Sequence, residues 1–228
     1  GHLMSDALSQ LEADMRELTK PVNGQYPRPW MTNLTDPTTA ELFTVGKNQR
    51  NGYDVELVGS HHHFIDTLFN RGPETCRGLY DRMVGTPSPT RRNTDALVSL
   101  LAQRGVTRIL ETNVVCYSTP MSADLRQARH LQGVDRGTEI FKVLIEIVKP
   151  RVLISHGSDT AKQLGKLLGR ALPEPPSAPG SKPVFAEIDA TTIFVIPSLA
   201  PPAFNKWSKW AHGHLEGVAD RAAQIMRG

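Results

Sequence analysis

The chain has 228 residues, of which 39% are hydrophobic and 21% charged, with a formal net charge of +3 and a pI near 9.0. This length suits one sizeable α/β domain and is long for two independent ones. No apolar run approaches the length of a membrane span and no secretory signal is evident, so we expect a cytoplasmic protein with no membrane partner. The modest positive charge permits a polyanionic partner but does not require one.

The first residues and the two cysteines bear on domain organisation and on metal binding. Residues 1–4 resemble the remnant of an expression tag followed by the start Met4, and residues 5–228 are expected to form one domain. Cys76 and Cys116 are far apart in the chain and lack the spacing of metal ligands. They are expected to be two buried thiols.

The first half of the chain predicts helices around two strands. An apolar stripe at helical spacing predicts a helix over residues 6–20, with Ser5 as its N-cap. A short buried strand over residues 41–45 ends in a polar loop at Gly46. Helices are predicted over residues 61–70, from Pro73 to residue 83, and over residues 91–104, and a strand over residues 106–115.

The second half continues the alternation. A helix is predicted over residues 138–149, a short strand over 152–155, and a helix from Ser158 to about residue 172, after a break at Gly157. Two strands follow over residues 184–188 and 192–196, and a last helix over 215–226. This pattern predicts a three-layer α/β/α domain around a central, mainly parallel sheet of four to five strands.

Ligands of such sheets bind beyond the carboxyl ends of the strands. The loops after Val45, Val115, Ile154 and Ile196 are therefore the candidate functional sites. Polar sequences stand at or near these strand ends: Gly46-Lys47-Asn48-Gln49, Glu111-Thr112-Asn113, Ser155-His156-Gly157-Ser158, and Pro197-Ser198 followed by Pro201-Pro202-Ala203-Phe204-Asn205-Lys206-Trp207.

The order and spacing of these sequences resemble the uracil-DNA glycosylase superfamily, most closely its single-strand-selective and mismatch-specific branches. Those branches carry G-x-N-P, a strand that ends in Asn, and H-P-S-P before a Pro- and Asn-containing wedge. The resemblance covers about residues 41–210. It implies a uracil-DNA glycosylase-like fold and a repair enzyme that flips uracil or a related deaminated base out of DNA and hydrolyses its N-glycosidic bond.

The resemblance assigns the base pocket to the first two sequences. Asn48 would position the attacking water, and Asn113 would read the edge of the base, with Gly46, Lys47 and Gln49 beside them. An Asn is no strong general base, so the barrier must fall mainly through stabilisation of the leaving base. The alternatives are a turn-forming Asn48 and an Asn113 that joins two loops.

An aromatic residue that stacks on the flipped base is expected near residues 61–64. The resemblance favours Phe64, then His63, with Tyr53 as a rival. Three consecutive histidines do not converge on one metal, and no cysteine or acidic cluster accompanies them. No metal or other cofactor is expected, and two cysteines cannot hold the iron–sulfur cluster of some branches.

DNA, single- or double-stranded, is the expected partner of a monomeric protein. Ser155, Gly157 and Ser158 precede a predicted helix and would bind a phosphate there, with ordinary helix capping as the alternative. The last sequence would enter the duplex as a wedge through Ser198, Pro201, Asn205 and Lys206, with Trp207 and Lys209 adding stacking and charge. Its alternative is a surface loop before an amphipathic helix.

Two residues depart from the family pattern. Gln49 replaces the proline of the first motif, and Ile196 replaces the histidine that donates to the leaving base. Loss of such a donor lowers a rate by roughly 100- to 1000-fold. Another donor could substitute, with His156, His63 and Lys47 as candidates. Alternatively, the base could be xanthine or hypoxanthine, or the protein could bind without excision.

Three hypotheses therefore remain open at the level of sequence. The first is a monofunctional DNA glycosylase, without lyase activity because no lysine stands at a nucleophile position. The second is a non-catalytic binder of nucleic acid or nucleobases on the same fold. The third is a different α/β enzyme that acts on a small nucleotide or another ligand.

Overall fold

The computed structural model describes residues 5–228. The expected tag remnant, residues 1–4, lies outside these residues. The described residues form two compact units: the first comprises residues 5–40, 47–86 and 110–149, and the second comprises residues 41–46, 87–109 and 150–228. Among the described residues, no helix combines the length and the hydropathy of a membrane span.

Helices and strands alternate along much of the chain. The helices are α1 (Asp6–Leu18), α2 (Val55–Val58), α3 (His61–Leu68), α4 (Cys76–Val84), α5 (Pro89–Ala102), α6 (Leu131–Val148), α7 (Ser158–Leu168) and α8 (Ser208–Arg227). The strands are β1 (Gln25–Tyr26), β2 (Leu42–Gly46), β3 (Tyr53–Asp54), β4 (Ile109–Asn113), β5 (Val152–His156), β6 (Val184–Ile188) and β7 (Thr191–Ile196). Short 3-10 turns, including Ala203–Lys206, complete the described elements.

A five-stranded sheet in the order β4-β2-β5-β7-β6 is the centre of the fold. Strand β5 is parallel to β2 and to β7, whereas β6 is antiparallel to β7. The prediction of a mainly parallel sheet flanked by helices is confirmed. Because β2, β5 and β7 are parallel, their carboxyl ends at Gly46, His156 and Ile196 lie at the same edge.

In the second unit, apolar residues of the strands pack against α5 and α8. The core includes Leu42, Ile154, Phe194 and Ile196, all fully buried, together with Trp207 at 3% exposure. Full burial on both faces of a parallel sheet explains why these strands are continuous apolar runs in the sequence. The same burial fixes the strand ends that carry the polar loops.

In the first unit, α1 packs against α6, and β1 pairs with β3 in an antiparallel ribbon. This pairing brings Tyr26 beside Tyr53, and Phe64 of α3 stacks on Tyr26 with 5.1 Å between ring centroids. The three rings are buried. They form an aromatic core within the first unit.

Helix starts account for most differences from the predicted boundaries. Helix α4 begins at Cys76 rather than Pro73, because the Thr75 hydroxyl accepts the Gly78 N–H and caps the helix there. Helix α5 begins at Pro89, with Ser88 as its N-cap. Helix α8 begins at Ser208, seven residues before the predicted start at Leu215.

Helix α6 begins at Leu131, well before the predicted start at Thr138. Gly133 and Gly137 lie inside this helix, where glycine lowers helix propensity. A Cβ on Gly133 would overlap the ring of Tyr117, and the Gly137 carbonyl accepts the Cys116 N–H at 3.1 Å. The two glycines let α6 approach the segment that follows β4. Helix propensity does not include this tertiary contact.

Candidate functional site

The loop after β2, residues 47–49, is held by the segment that follows β4. The Val115 N–H donates to the Lys47 carbonyl at 2.9 Å, and the Thr119 N–H donates to the Gln49 carbonyl at 3.2 Å. Between these two bonds, Asn48 Nδ2 donates to further acceptors on the same segment. The loop and the segment 115–119 therefore form one hydrogen-bonded unit with Asn48 at its centre.

The orientation of the Asn48 amide is set by its partners. Nδ2 lies 3.1 Å from the Tyr117 carbonyl oxygen and 2.9 Å from Thr119 Oγ1. A carbonyl can only accept, and the Thr119 hydroxyl already donates to the Met121 carbonyl at 2.7 Å. Both partners therefore require the amide nitrogen, which turns Asn48 Oδ1 away from them. Within residues 5–228, this half-buried oxygen has no hydrogen-bond partner, so it can accept from a water or a ligand.

Tyr117, whose carbonyl anchors Asn48, is itself fixed from several sides. Its ring is fully buried. Its hydroxyl accepts from Asn23 Nδ2 at 2.8 Å and lies 2.5 Å from His130 Nδ1. Gly133 leaves the space that the ring fills. This packing holds the side chain of Tyr117, whose carbonyl accepts from the Asn48 amide.

Gln49, which stands where the family that the sequence resembles has proline, ties the loop to an arginine. Its Nε2 donates to the Arg28 carbonyl at 3.2 Å, and its Oε1 is enclosed with no partner in the described chain. Arg28 Nη1 in turn donates to the Asn51 carbonyl at 3.0 Å. The loop is thus braced by an amide where a proline would restrict the backbone directly.

Asn113 is the last residue of β4 and is half-buried. In the described chain, its side-chain amide has no hydrogen-bond partner, which differs from the alternative of an Asn that joins two loops. An amide with a free donor and a free acceptor can pair with a carbonyl and a neighbouring N–H of a base edge. Its role as a base reader stays a prediction.

The aromatic residues expected to stack on a base require correction. Phe64 is 1% exposed, stacked on Tyr26 and in edge contact with Tyr53 at 6.2 Å, so its ring offers no face to a ligand in this conformation. Tyr53, the rival, is 4% exposed and is covered by Arg28 at 4.2 Å. The apolar periodicity of α3 that suggested Phe64 is the pattern of a core helix.

His63 belongs to an ion-pair cluster on the same unit. Its Nε2 lies 2.7 Å from Glu74 Oε1, and 34% of its side chain is exposed. Arg82 and His63 hold the pKa of Glu74 at about 2, with the Arg82 hydrogen bond as the largest cause. Arg82 also donates to the Leu57 carbonyl at 2.7 Å. His63 therefore has a structural partner, and its service as a substitute donor stays a prediction.

His156 ends β5 in the second unit, directly opposite Ile196 of β7. Burial lowers the pKa of its imidazole to about 4, so the ring is neutral at pH 7. Nδ1 accepts the Leu199 N–H at 3.3 Å, which places the proton of the neutral ring on Nε2. Among residues 5–228 no acceptor is bonded to Nε2, so His156 presents a neutral N–H donor.

The expected phosphate site at the start of α7 is corrected at two residues. Ser155 is fully buried, with its hydroxyl enclosed and without a partner in the described chain, so it cannot contact a phosphate there. The Gly157 N–H donates to the Ile196 carbonyl at 3.0 Å and is already used. Gly157 has φ of +95°, a conformation that favours glycine.

Ser158, the first residue of α7, is exposed. Asp159 lies in the first turn of the same helix, where a carboxylate complements the helix dipole. Its negative charge disfavours a phosphate at this point. A phosphate contact of the exposed Ser158 stays a prediction.

The last polar loop is anchored at its base and exposed at its tip. The Ser198 carbonyl accepts Trp207 Nε1 at 2.8 Å, and Ser198 Oγ accepts the Ala200 N–H at 3.1 Å. Trp207 is 3% exposed, so it anchors the loop and offers no stacking surface, contrary to expectation. The tip exposes the expected DNA-contacting residues Pro201, Asn205 and Lys206.

Sequence reasoning missed two residues of the first unit that support the loop: Thr119 and Arg28. Thr119 belongs to a polar run that follows Asn113 by a few residues, which is a usable signal. Arg28 stands between two prolines before Trp30, far from the end of any strand predicted from the sequence, and nothing in that sequence indicates burial. In the described part of the chain, no group of three His, Cys, Asp or Glu side chains could hold a metal ion.

Neither a scan against protein-family profiles nor a search of curated proteins gives a match to this chain.

Proposed function

We propose that this protein is a monofunctional DNA glycosylase with a uracil-DNA glycosylase-like fold, which excises uracil or a related deaminated base from DNA as a monomer. The observation that carries the proposal is His156: a neutral imidazole with a free Nε2–H, opposite Ile196, where the family has its donor. The donor that the sequence lacks at position 196 is thereby available from the adjacent strand end.

The reaction requires two groups besides the base pocket. As the N-glycosidic bond breaks, its electron pair stays on the base, and the water oxygen bonds to the sugar carbon while its proton passes to solvent. In this proposal His156 Nε2–H donates to the oxygen of the departing base, and a neutral donor avoids the cost of a buried charge. Asn48 Oδ1, fixed by Tyr117 and Thr119, accepts from the attacking water.

Base recognition is assigned to Asn113, whose amide is free to pair with the edge of the base. A lactam edge, with a carbonyl beside a ring N–H, complements one amide in two hydrogen bonds. Uracil, hypoxanthine and xanthine all carry such an edge, so the proposal covers this class of deaminated bases. The exposed loop tip with Asn205 and Lys206 would contact the DNA strand.

The test is base excision. The protein is incubated with single- and double-stranded oligonucleotides that contain uracil, hypoxanthine or xanthine, and abasic sites are then cleaved with alkali. We expect strand cleavage only after alkali, because no lyase activity is proposed. If none of the substrates gives product, the proposed glycosylase activity is refuted. Salt-sensitive DNA binding without product would instead support a non-catalytic DNA-binding protein.

A further inference from the structure

Arg28 is a buried cation without a counter-ion in the described chain. The residue is 8% exposed. Within residues 5–228, no Asp or Glu lies within ion-pair distance of its guanidinium, whereas Arg82 and Arg104 bond directly to carboxylates. Buried arginines are normally paired, because removing a charge from water is costly unless a partner compensates. An unpaired charge at this depth indicates a group that arrives from outside the chain.

The contacts of Arg28 orient its guanidinium without neutralising it. The group lies over the ring of Tyr53, 4.2 Å from the centroid, and 5.7 Å from that of Tyr80. One nitrogen, Nη1, donates to the Asn51 carbonyl at 3.0 Å. No guanidinium nitrogen is among the fully enclosed unpartnered atoms of the described residues, so its remaining donors reach the surface. A planar group held in this way is preorganised for an acceptor with two oxygens.

The guanidinium belongs to the loop that carries Asn48. Gln49 donates to the Arg28 carbonyl and Arg28 donates to the Asn51 carbonyl, so both connections go to residues just after Asn48. On the basis of the proposed function, we propose that Arg28 binds a phosphate group of the nucleic-acid substrate beside the Asn48 loop. The phosphate could belong to a DNA strand or to a free nucleotide, and the two sources are separable by experiment.

The first measurement uses inorganic phosphate, which requires neither DNA nor catalysis. We expect the Tm of the wild type to rise in phosphate relative to chloride at equal ionic strength, and this rise to be lost in Arg28→Gln. Arg50→Gln, which removes an exposed charge from the same loop, should retain it. Arg28→Lys keeps the positive charge but loses the planar guanidinium, which can donate to two oxygens at once, so its Tm should rise less in phosphate. An equal rise in the wild type and in both Arg28 variants overturns the proposal.

The second measurement identifies the source of the phosphate. Binding of a uracil-free single-stranded oligonucleotide and of dUMP is measured from low to moderate salt. If the phosphate belongs to DNA, Arg28→Gln should make the negative slope of log affinity against log salt shallower by about 0.7, the value for one contact on a single strand. Weaker dUMP binding with an unchanged slope assigns the site to a free nucleotide and overturns the DNA form of the proposal. Absence of base excision would refute the proposed function alone, since neither binding measurement depends on turnover.

Discussion

His156 and Ile196 stand opposite each other at the ends of two adjacent parallel strands, β5 and β7. The family that the sequence resembles uses a histidine at the position of Ile196. The Gly157 N–H donates to the Ile196 carbonyl, and the Leu199 N–H donates to His156 Nδ1, so the two strand ends are joined by backbone donors on both sides. A donor transferred from one strand end to its neighbour would stay at the same edge of the sheet.

The protonation of His156 should appear in the pH dependence of stability. Burial lowers the pKa of the folded imidazole to about 4, from 6.5 in the unfolded chain. Between these values the unfolded state binds the proton more strongly, so the free energy of unfolding falls as pH falls from 6.5 towards 4. After allowance for the partial exposure of the ring, the His156 contribution is on the order of 2 kcal/mol.

Urea unfolding of the wild type and of His156→Gln at pH 7 and pH 4.5 measures this contribution. The comparison with the variant is essential, because burial also lowers the pKa of His61 and His214. We expect the wild type to lose more stability than His156→Gln on acidification. Equal losses in the two proteins would show that His156 titrates normally in the folded state.

Thr119 should act on the reaction through Asn48. In Thr119→Val the Asn48 amide loses one of its two acceptors, and only the Tyr117 carbonyl still orients it. Loss of one hydrogen bond of this kind corresponds to a rate of base excision about 3- to 10-fold lower. We expect this decrease in kcat, with little change in KM, from steady-state kinetics.

Thr119→Ser is the matched control, because it keeps the hydroxyl and removes only a methyl group. It should retain a kcat close to that of the wild type. If the serine variant, which retains the hydroxyl, were as slow as the valine variant, the rate would depend on the shape of the side chain at position 119, and the positioning role of the hydroxyl would be refuted.

Gly133 should be required by the packing of α6 against Tyr117. A Cβ at this position overlaps the Tyr117 ring, which is fully buried and bonded at its hydroxyl. Overpacking of this kind lowers the free energy of unfolding by about 1–3 kcal/mol. Gly213→Ala is the control, because nothing lies within 4 Å of its added Cβ in α8, and it should raise stability by about 0.5–1 kcal/mol. Denaturant unfolding in which Gly133→Ala matched the wild type would contradict this packing.

Local chemistry was enough to predict much of the fold. The apolar runs of β2, β5 and β7 and the Ser5 cap of α1 gave the strands and the first helix. The start of α6 could not be predicted, because Gly133 and Gly137 disfavour a helix locally and are explained only by their contacts with residues 116–117. Tertiary packing overrides propensity at such positions.

The candidate site was predictable only in part. The positions of Asn48 and His156 at strand ends follow from the alternation of strands and helices. The burial of a side chain does not follow from this alternation. The same spacing fits an exposed stacking ring and the buried ring of Phe64, and it did not indicate that the Ser155 hydroxyl is enclosed. The orientation of the Asn48 amide depends on Thr119, which is 71 residues away in the sequence.

The roles of Asn48 and His156 in the reaction are measured by single-turnover excision of uracil from a single-stranded oligonucleotide. The wild type is compared with Asn48→Ala and His156→Ala. We expect product with the wild type and a rate at least about 100-fold lower in each variant, with DNA binding retained. Excision by the wild type at a rate that neither substitution changes would contradict the assignment of Asn48 and His156 to the reaction.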